Sequence, residues 1–413
     1  MSTSEERCSR PAERRQALAA ALAAVALFGA AWALLHHGFY ASDEIVDTPT
    51  YLSYGDAIRN GSVPYRDFAL EYPPAALPIF LLPALGDHGH ELAYRRSFER
   101  LMGLCGLLLV AGCALALVAL RARPERLAAA LAFTALAPLA LGSVLLTRFD
   151  LWPAALAVLG LAALLWGRHR LGLGVLGLGA AAKLFPALLV PPALVYVWRR
   201  RGRREALVGA AVFAAVVAAC FLPFLALSPG GVWESLRRQV ERPLQLESLG
   251  SGVLLVAHQL FGAAVQIETS HGSQNQSGAL PHALAEIQAV LQLAAVAALW
   301  LAFARGPASS ERLVRYSAAC LAAFIAFGKV LSPQFLIWLV PLVPLVRGRR
   351  GLLASGLLGL ALLLTQLWFP YRYWALAVDL DGTASWLVLA RDLLLVALAA
   401  VLAMPRREPV RSS

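Results

Sequence analysis

The residues best suited to chemistry are three carboxylates, Asp43, Glu44 and Asp47, which follow directly on the first long apolar segment of the chain. A carboxylate fixed at the mouth of a polar cavity can accept a proton from a hydroxyl group that lies within hydrogen-bond distance. Acidic residues beside an apolar segment are also common on solvated loops. The spacing therefore leaves general-base catalysis, a solvated loop face and a divalent-cation site all open.

Aromatic and acidic residues alternate in the stretch that follows, which suits the binding of a sugar. Aromatic rings can stack on the faces of a pyranose, and carboxylates can accept hydrogen bonds from its hydroxyl groups. An aromatic belt at a membrane interface would explain the rings equally well, although it would not explain the regular acidic residues. The candidate substrate-binding residues are Tyr51, Tyr54, Tyr65, Arg66, Asp67, Glu71 and Tyr72.

Four basic residues in apolar or aromatic surroundings are candidates for holding a phosphate: Arg148, Lys183, Lys329 and Arg372. A lysine inside a membrane costs about 2.5–3.5 kcal/mol on insertion scales, so Lys183 needs an anionic partner or must extend to the interface. Arg148 can clamp a phosphate with two parallel hydrogen bonds, or it can pair locally with Asp150. Arg372 is equally suited to anchoring the chain at the interface.

The elements that must position these side chains are apolar helices. The chain of 413 residues is 59% hydrophobic and only 15% charged, and its mean hydropathy is +0.65. A soluble domain carries roughly 25% charged residues. The net charge of +11 comes from basic clusters between apolar segments, the pattern that orients membrane proteins. The composition therefore predicts a polytopic all-α membrane protein and argues against a nucleic-acid partner.

The alternation of basic clusters predicts about twelve transmembrane helices in one domain, residues 14–404, with cytoplasmic tails at 1–13 and 405–413. The first segment is expected to be an uncleaved anchor. This topology places the candidate site on the outer face of the plasma membrane. The predicted spans are 14–36, 98–120, 127–146, 150–166, 171–183, 184–198, 205–227, 283–304, 312–328, 334–346, 351–369 and 385–404.

Two long loops are predicted on the outer face, at 37–97 and 228–282. The proline-rich segment 72–86 is too short to span a membrane, so we expect an interfacial helix there. The second loop contains the Gly/Ser/Gln-rich residues 271–278, which we expect to be mobile. His88 and His90 are weak candidates for a metal site, and no Cys/His spacing typical of zinc occurs, so we predict no metal or other cofactor.

The motifs together resemble those of GT-C-type integral-membrane glycosyltransferases. The most similar group is the bacterial family of polyprenol-phosphate-mannose-dependent α-(1→2)-mannosyltransferases, with matching order and spacing over roughly residues 15–370. The matching motifs are Asp47-Thr-Pro-Thr-Tyr51, Tyr54-Gly55, Gly61-Ser-Val-Pro64-Tyr65-Arg66-Asp67-Phe68, Glu71-Tyr72-Pro73-Pro74, Arg148-Phe149-Asp150-Leu151, Lys183-Leu184-Phe185-Pro186 and Ser332-Pro333-Gln334-Phe335.

This resemblance implies the transfer of a hexose from a polyprenyl-phosphate donor to a hydroxyl group of a cell-envelope glycolipid or glycan, with inversion at the anomeric carbon. It implies that Asp47 is the base, with Asp43 and Glu44 as competitors, and that Arg148, Lys183 and Lys329 hold the leaving phosphate. Two other functions remain open: a lipid or solute transporter (or flippase) with an outward-facing cavity, and a non-enzymatic envelope protein that presents its loops to a partner.

Overall fold

The fold is almost entirely helical in a computed structural model, which describes residues 11–42, 45–86 and 90–404. Asp43, Glu44 and His88 lie outside the described residues, so the predictions made for them are not tested. The helices of the first half are α1 (Pro11–Leu34), α2 (Thr48–Arg59), α3 (Leu77–Ala84), α4 (Glu91–Ala119), α5 (Pro124–Leu141), α6 (Val144–Thr147), α7 (Leu151–Leu165), α8 (His169–Ala182) and α9 (Val190–Arg201).

The second half continues the bundle and adds one small sheet. Its helices are α10 (Arg203–Leu227), α11 (Pro229–Val240), α12 (Leu249–Phe261), α13 (Ala279–Arg305), α14 (Ser310–Ala326), α15 (Leu336–Leu339), α16 (Gly348–Trp368), α17 (Tyr373–Asp379) and α18 (Gly382–Ala403). Its strands are β1 (Leu244–Gln245), β2 (Ile267–Ser270) and β3 (Ser273–Gln276), in the order β1-β3-β2. Both pairings are antiparallel.

Every predicted span overlaps helical structure, which confirms the polytopic all-α class. Within the described residues, seven helices are long and apolar enough to cross a membrane: α1, α4, α5, α10, α13, α16 and α18. Other apolar helices, such as α7 and α12, are shorter. The predicted count of about twelve crossings therefore stays a prediction.

Two interruptions lie where the sequence predicts them. Helix α8 ends at Ala182, and a 3-10 turn over Phe185–Leu189 leads into α9. Helix α14 ends at Ala326, and the chain turns again at the 3-10 segment Pro333–Phe335. A proline is the first or second residue of each new segment, because its fixed φ fits the first helical turn, where no amide donor is needed. Each interruption leaves a lysine, Lys183 or Lys329, on irregular backbone.

Helix α7 occupies the centre of the bundle and packs against α4 and α8. Small residues allow the close approach of α7 and α8. A Cβ atom on Gly172 would lie 2.7 Å from the carbonyl oxygen of Gly160. Such small-residue contacts are the usual way in which helices approach closely in membranes. The close packing of α7 and α8 restrains the centre of the bundle, and the turns before α7 and after α8 are attached to these two helices.

The long loops are more ordered than the sequence suggested. Residues 271–278 were expected to be mobile, but they include β3, in which Asn275 and Gln276 are fully buried. The strand is held because it lies between β1 and β2 and pairs with both. The expected helix in segment 72–86 is present as α3, in which Phe80 is buried and Leu82 is exposed. Its position at a membrane interface stays a prediction.

Helix α2, which begins next to Asp47, packs closely on α3 at Gly55. A Cβ atom at Gly55 would lie 2.6 Å from the carbonyl oxygen of Phe80 and 2.7 Å from Cβ of Ala84. The substitution Gly55→Ala should therefore force α2 away from α3 and destabilise the protein by about 1–3 kcal/mol. Thermal unfolding in detergent measures the effect. The matched control is Gly29→Ala in α1, where a Cβ atom meets nothing within 4 Å; equal melting temperatures for the two variants would contradict this packing.

Candidate functional site

A cavity of about 800 Å³ opens among the long loops and the interrupted helices. It brings together segments far apart in sequence: the first loop, the turn before α7, the turn after α8, the strand β1 and the turn after α14. The cavity contains both signs of charge, which makes it a polar chamber at one end of an apolar bundle. Its charged lining residues are Asp47, Glu71, Arg148, Lys183, Arg242, Glu247, Glu286 and Lys329.

Asp47 is held at the cavity wall by two partners. The guanidinium group of Arg148 forms an ion pair with Oδ2 of Asp47, and the hydroxyl of Tyr51 donates to the same oxygen at 3.3 Å. Tyr51 lies one helical turn after Asp47, so the start of α2 sets their contact. The ring of Tyr51 is buried and stacks on Phe80 at 4.5 Å. Asp47 is therefore a fixed carboxylate, and its side chain remains 31% exposed.

Lys183 has the anionic partner that the sequence requires. Its Nζ lies 2.7 Å from Oδ1 of Asp150, and the indole Nε1 of Trp338 donates to the same oxygen at 2.6 Å. The rings of Phe149, Phe335 and Trp338 surround the ammonium group at 4.8–5.4 Å from their centroids. The local Arg148–Asp150 pair considered from the sequence does not form, because Asp150 pairs with Lys183 and Arg148 with Asp47.

Unused hydrogen-bond donors of two arginines lie in the cavity wall. The Nε atoms of Arg148 and Arg242 are buried and have no hydrogen-bond partner among the residues that the structure describes. Arg242 also donates from Nη2 to Oγ of Ser273 at 3.1 Å. Within the described part of the chain, the ammonium group of Lys329 lies within 4.0 Å of no carboxylate. Buried cationic donors without partners are costly, and an anion that enters the cavity would satisfy them.

Glu247 is a buried carboxyl group that the motif analysis missed. Its side chain is 2% exposed and accepts a hydrogen bond at Oε2 from the amide of Gln245. Gln245 donates in addition to Oγ of Ser332 at 2.8 Å. Burial raises the pKa of Glu247 to about 8, although Arg391, Arg148 and Arg242 oppose the shift. The carboxyl group is thus mainly neutral at pH 7.

Three of the predicted substrate-binding residues line the cavity: Tyr65, Glu71 and Tyr72. The hydroxyl of Tyr65 donates to the carbonyl oxygen of Tyr72 at 2.5 Å, which closes the loop between them. The ring of Tyr72 packs edge-on against Phe149 at 4.9 Å. The aromatic and acidic stretch therefore forms one wall of the chamber, and Glu71 presents its carboxylate there.

The structure keeps the other predicted residues outside the cavity lining. Tyr54 stacks on Phe68 at 5.8 Å, and Tyr51 touches the site only through Asp47. Arg66 and Asp67 form an exposed ion pair with each other at 2.8 Å. Nη1 of Arg372 lies 3.5 Å from Oδ1 of Asp381, and the arginine side chain is about half exposed. A local ionic partner or a packed ring thus occupies each of these side chains, and sequence spacing alone does not reveal this.

A metal site finds little support among the residues that the structure describes. They contain no group of three His, Cys, Asp or Glu side chains that could hold a metal ion. Asp47 shares one oxygen between Arg148 and Tyr51. Asp43 and Glu44, which could complete such a group, lie outside the described residues. The expectation of no metal therefore stays a prediction.

Comparison with known proteins identifies a family and a similar solved structure. The sequence profile of glycosyltransferase family 87 matches residues 70–333. No curated protein sequence matches the chain. Among solved structures, ArnT from Cupriavidus metallidurans bound to undecaprenyl phosphate is similar, with 15% identity, a TM-score of 0.48, and coverage of 94% of this chain and 76% of that one.

The raised pKa of Glu247 predicts a pH-dependent stability. The folded state holds this proton up to a pH of about 8, whereas the unfolded chain loses it near the ordinary value of 4.5. The stabilising effect of the proton is thus complete below pH 4.5 and is lost as the pH rises to about 8. The difference in melting temperature between the wild type and Glu247→Gln should fall over this window. Parallel melting curves from pH 5 to pH 9 would contradict the assignment.

Proposed function

The chain belongs to glycosyltransferase family 87, and we propose that it transfers a hexose, such as mannose, from a polyprenyl-phosphate donor. The acceptor is a hydroxyl group of a cell-envelope glycolipid or glycan on the outer face of the plasma membrane. The observation that carries the proposal is a single cavity in which one fixed carboxylate, Asp47, faces a set of basic side chains: Arg148, Lys183, Arg242 and Lys329.

Asp47 serves as the general base. A hydroxyl oxygen of the acceptor attacks the anomeric carbon, its proton passes to the Asp47 carboxylate, and the bond from the anomeric carbon to the phosphate oxygen breaks. The leaving phosphate takes the electron pair of that bond, so one displacement inverts the configuration. The ion pair with Arg148 holds the Asp47 carboxylate in place at the cavity wall.

The basic residues stabilise the charge that grows on the leaving phosphate. Arg148 and Arg242 contribute buried Nε–H groups that have no partner within residues 11–42, 45–86 and 90–404. Lys329 contributes an ammonium group, and the charge of Lys183 is already balanced by Asp150. Donors fixed before the reaction stabilise developing charge without the cost of reorganisation. Arg242 thus joins Arg148, Lys183 and Lys329, the residues to which the family resemblance gives this role.

The lipid part of the donor has a side entrance. Helices α10 and α13 both border the cavity, through Phe221 and Leu293, yet over their lengths they do not pack against each other. The amphipathic helix α11 adds Leu236 to the same apolar wall. No residue in the most apolar part of α10 is buried in the protein. An isoprenoid tail can therefore remain in the membrane while its phosphate enters the chamber.

The arrangement of the basic clusters supports an outer-face site. The turns that form the cavity alternate along the chain with turns rich in arginine, as the positive-inside rule requires of opposite faces. The arginine-rich turns also contact one another: Arg126 donates to the carbonyl oxygen of Leu345, and Arg199 donates to that of Gly306. These contacts between arginine-rich turns support a chamber that faces away from the cytoplasm.

Replacement of the base tests the chemistry. Asp47→Asn retains the shape of the side chain but removes the proton acceptor, so transfer should fall by about 10²- to 10⁴-fold. Purified protein, radiolabelled polyprenyl-phosphate hexoses and a membrane glycolipid extract provide the assay. Asp379→Asn, an exposed position outside the cavity lining, is the matched control. Wild-type turnover by Asp47→Asn would remove Asp47 from the mechanism.

Lys329 gives a clean test of phosphate binding because no carboxylate among the described residues would be left unpaired by its removal. Lys183→Ala is less informative, since it would strand the buried Asp150 and destabilise the fold. We expect Lys329→Ala to raise the KM for the donor by about tenfold or more, with a smaller change in the KM for the acceptor. The control is Arg238→Ala, which removes an exposed cation paired with Glu234. An unchanged donor KM for Lys329→Ala would exclude its contact with the phosphate.

A further inference from the structure

We propose that Gln245 and Glu247 form the subsite that binds the hydroxyl groups of the transferred hexose. This inference rests on the proposed function and adds to it the part of the cavity that recognises the sugar. Both side chains line the cavity, and both are at least 97% buried.

The segment that carries these two residues is fixed from three sides. The amide of Gln245 donates to the carbonyl oxygen of Lys329 at 2.9 Å, and the amide of Leu246 donates to that of Gln274 at 3.0 Å. From α18, Nη2 of Arg391 donates to the carbonyl oxygen of Glu247 at 2.8 Å. A loop that is hydrogen-bonded to a turn, a strand and helix α18 holds its side chains in one geometry, as a selective subsite requires.

Gln245 presents a buried acceptor that the protein leaves unused. Its Nε2 donates to Glu247 and to Ser332, but its Oε1 is buried and has no hydrogen-bond partner in the described part of the chain. A buried acceptor without a donor costs free energy, so such an atom in a cavity wall calls for a ligand that donates. A sugar hydroxyl is a donor of the right kind. A phosphate is not, because its oxygens at neutral pH are mainly acceptors.

Glu247 complements this acceptor. Among the described residues its side chain accepts one hydrogen bond, at Oε2 from Gln245. Its neutral carboxyl group can donate an O–H to one hydroxyl and accept from another, whereas the ionised group can only accept. The charged or titratable groups that interact electrostatically with Glu247 are Arg148, Arg242, Arg391 and Asp392. Glu247 also interacts electrostatically with Tyr373.

The position of Gln245 and Glu247 indicates that they contact the donor sugar and not the acceptor. Arg148 and Arg242, which supply the unused Nε–H groups for the phosphate, act electrostatically on Glu247. Arg148 also holds Asp47, the proposed base. The group between a bound phosphate and this base is the hexose whose anomeric carbon reacts. Gln245 and Glu247 are thus adjacent to the sugar attached to the phosphate.

The experiment is a deoxy scan of the donor. A panel of short-chain polyprenyl-phosphate hexoses (mannose, glucose and galactose) first identifies a donor that the wild type uses. Analogues that lack single hydroxyl groups are then compared in the wild type and in Gln245→Leu by kcat/KM. We expect one deoxy analogue to lose about 10- to 100-fold in the wild type and about threefold or less in Gln245→Leu, because the variant has already lost the contact.

Glu247→Gln supplies the second arm, because the amide has the size of the neutral acid and retains one donor and one acceptor. We expect turnover within about tenfold of the wild type. The donor KM of the wild type should rise as the pH increases through about 8, when Glu247 ionises, and this rise should vanish in the variant. A loss of 10³-fold or more in kcat at every pH would instead make Glu247 a proton acceptor in the reaction.

The outcomes separate the two proposals. If the wild type uses no donor in the panel, the proposed function fails, and the sugar subsite fails with it. If the wild type transfers a hexose but each deoxy analogue loses the same factor in the wild type and in Gln245→Leu, only the subsite is overturned. A misfolded Gln245→Leu variant leaves the decision to the pH profile of Glu247→Gln.

Discussion

The ion pair between Lys183 and Asp150 is the contact on which the cavity depends. It joins the turn before α7 to the turn after α8, and Trp338 brings the segment after α14 to the same oxygen. Removing one partner of such a buried pair leaves an uncompensated charge, which is far more costly than replacing both. The three turns are therefore locked together, and the other side chains of the cavity are arranged around this point.

The pairing of Arg148 with Asp47 adds a functional constraint to this scaffold. It ties the first loop, which carries the carboxylate, to the rigid turn that carries the arginine. The arginine has donors for two tasks, since Nη1 contacts Asp47 while Nε is unused. One guanidinium group can thus orient a proton acceptor and contact an anion at the same time. This double role explains why a membrane protein tolerates so many charges in one small volume.

Much of the fold could be predicted from the sequence, because apolar length and basic clusters are strong signals. The motif residues Asp47, Arg148, Lys183 and Lys329 do converge on one cavity. The pairing of Arg148 with Asp47 could not be read from local spacing, since the two residues are far apart in sequence.

The second loop was the weakest part of the prediction. Strands of two to four residues are too short to show an alternating pattern. The small sheet therefore cannot be predicted from the sequence. The sequence of this loop also does not mark Arg242 and Glu247 as buried residues. Their role depends on packing against α18 and on the turn at Lys329, which only the three-dimensional structure supplies.

Under the proposed function, the lack of packing between α10 and α13 has a consequence for which lipid donors the protein accepts. A tail that enters from the side never has to fit inside the protein along its whole length. Only the first isoprene units would touch the apolar wall, and the remainder would stay among the surrounding lipids. Discrimination then falls on the head group, and carriers that differ only in the number of isoprene units would serve almost equally well.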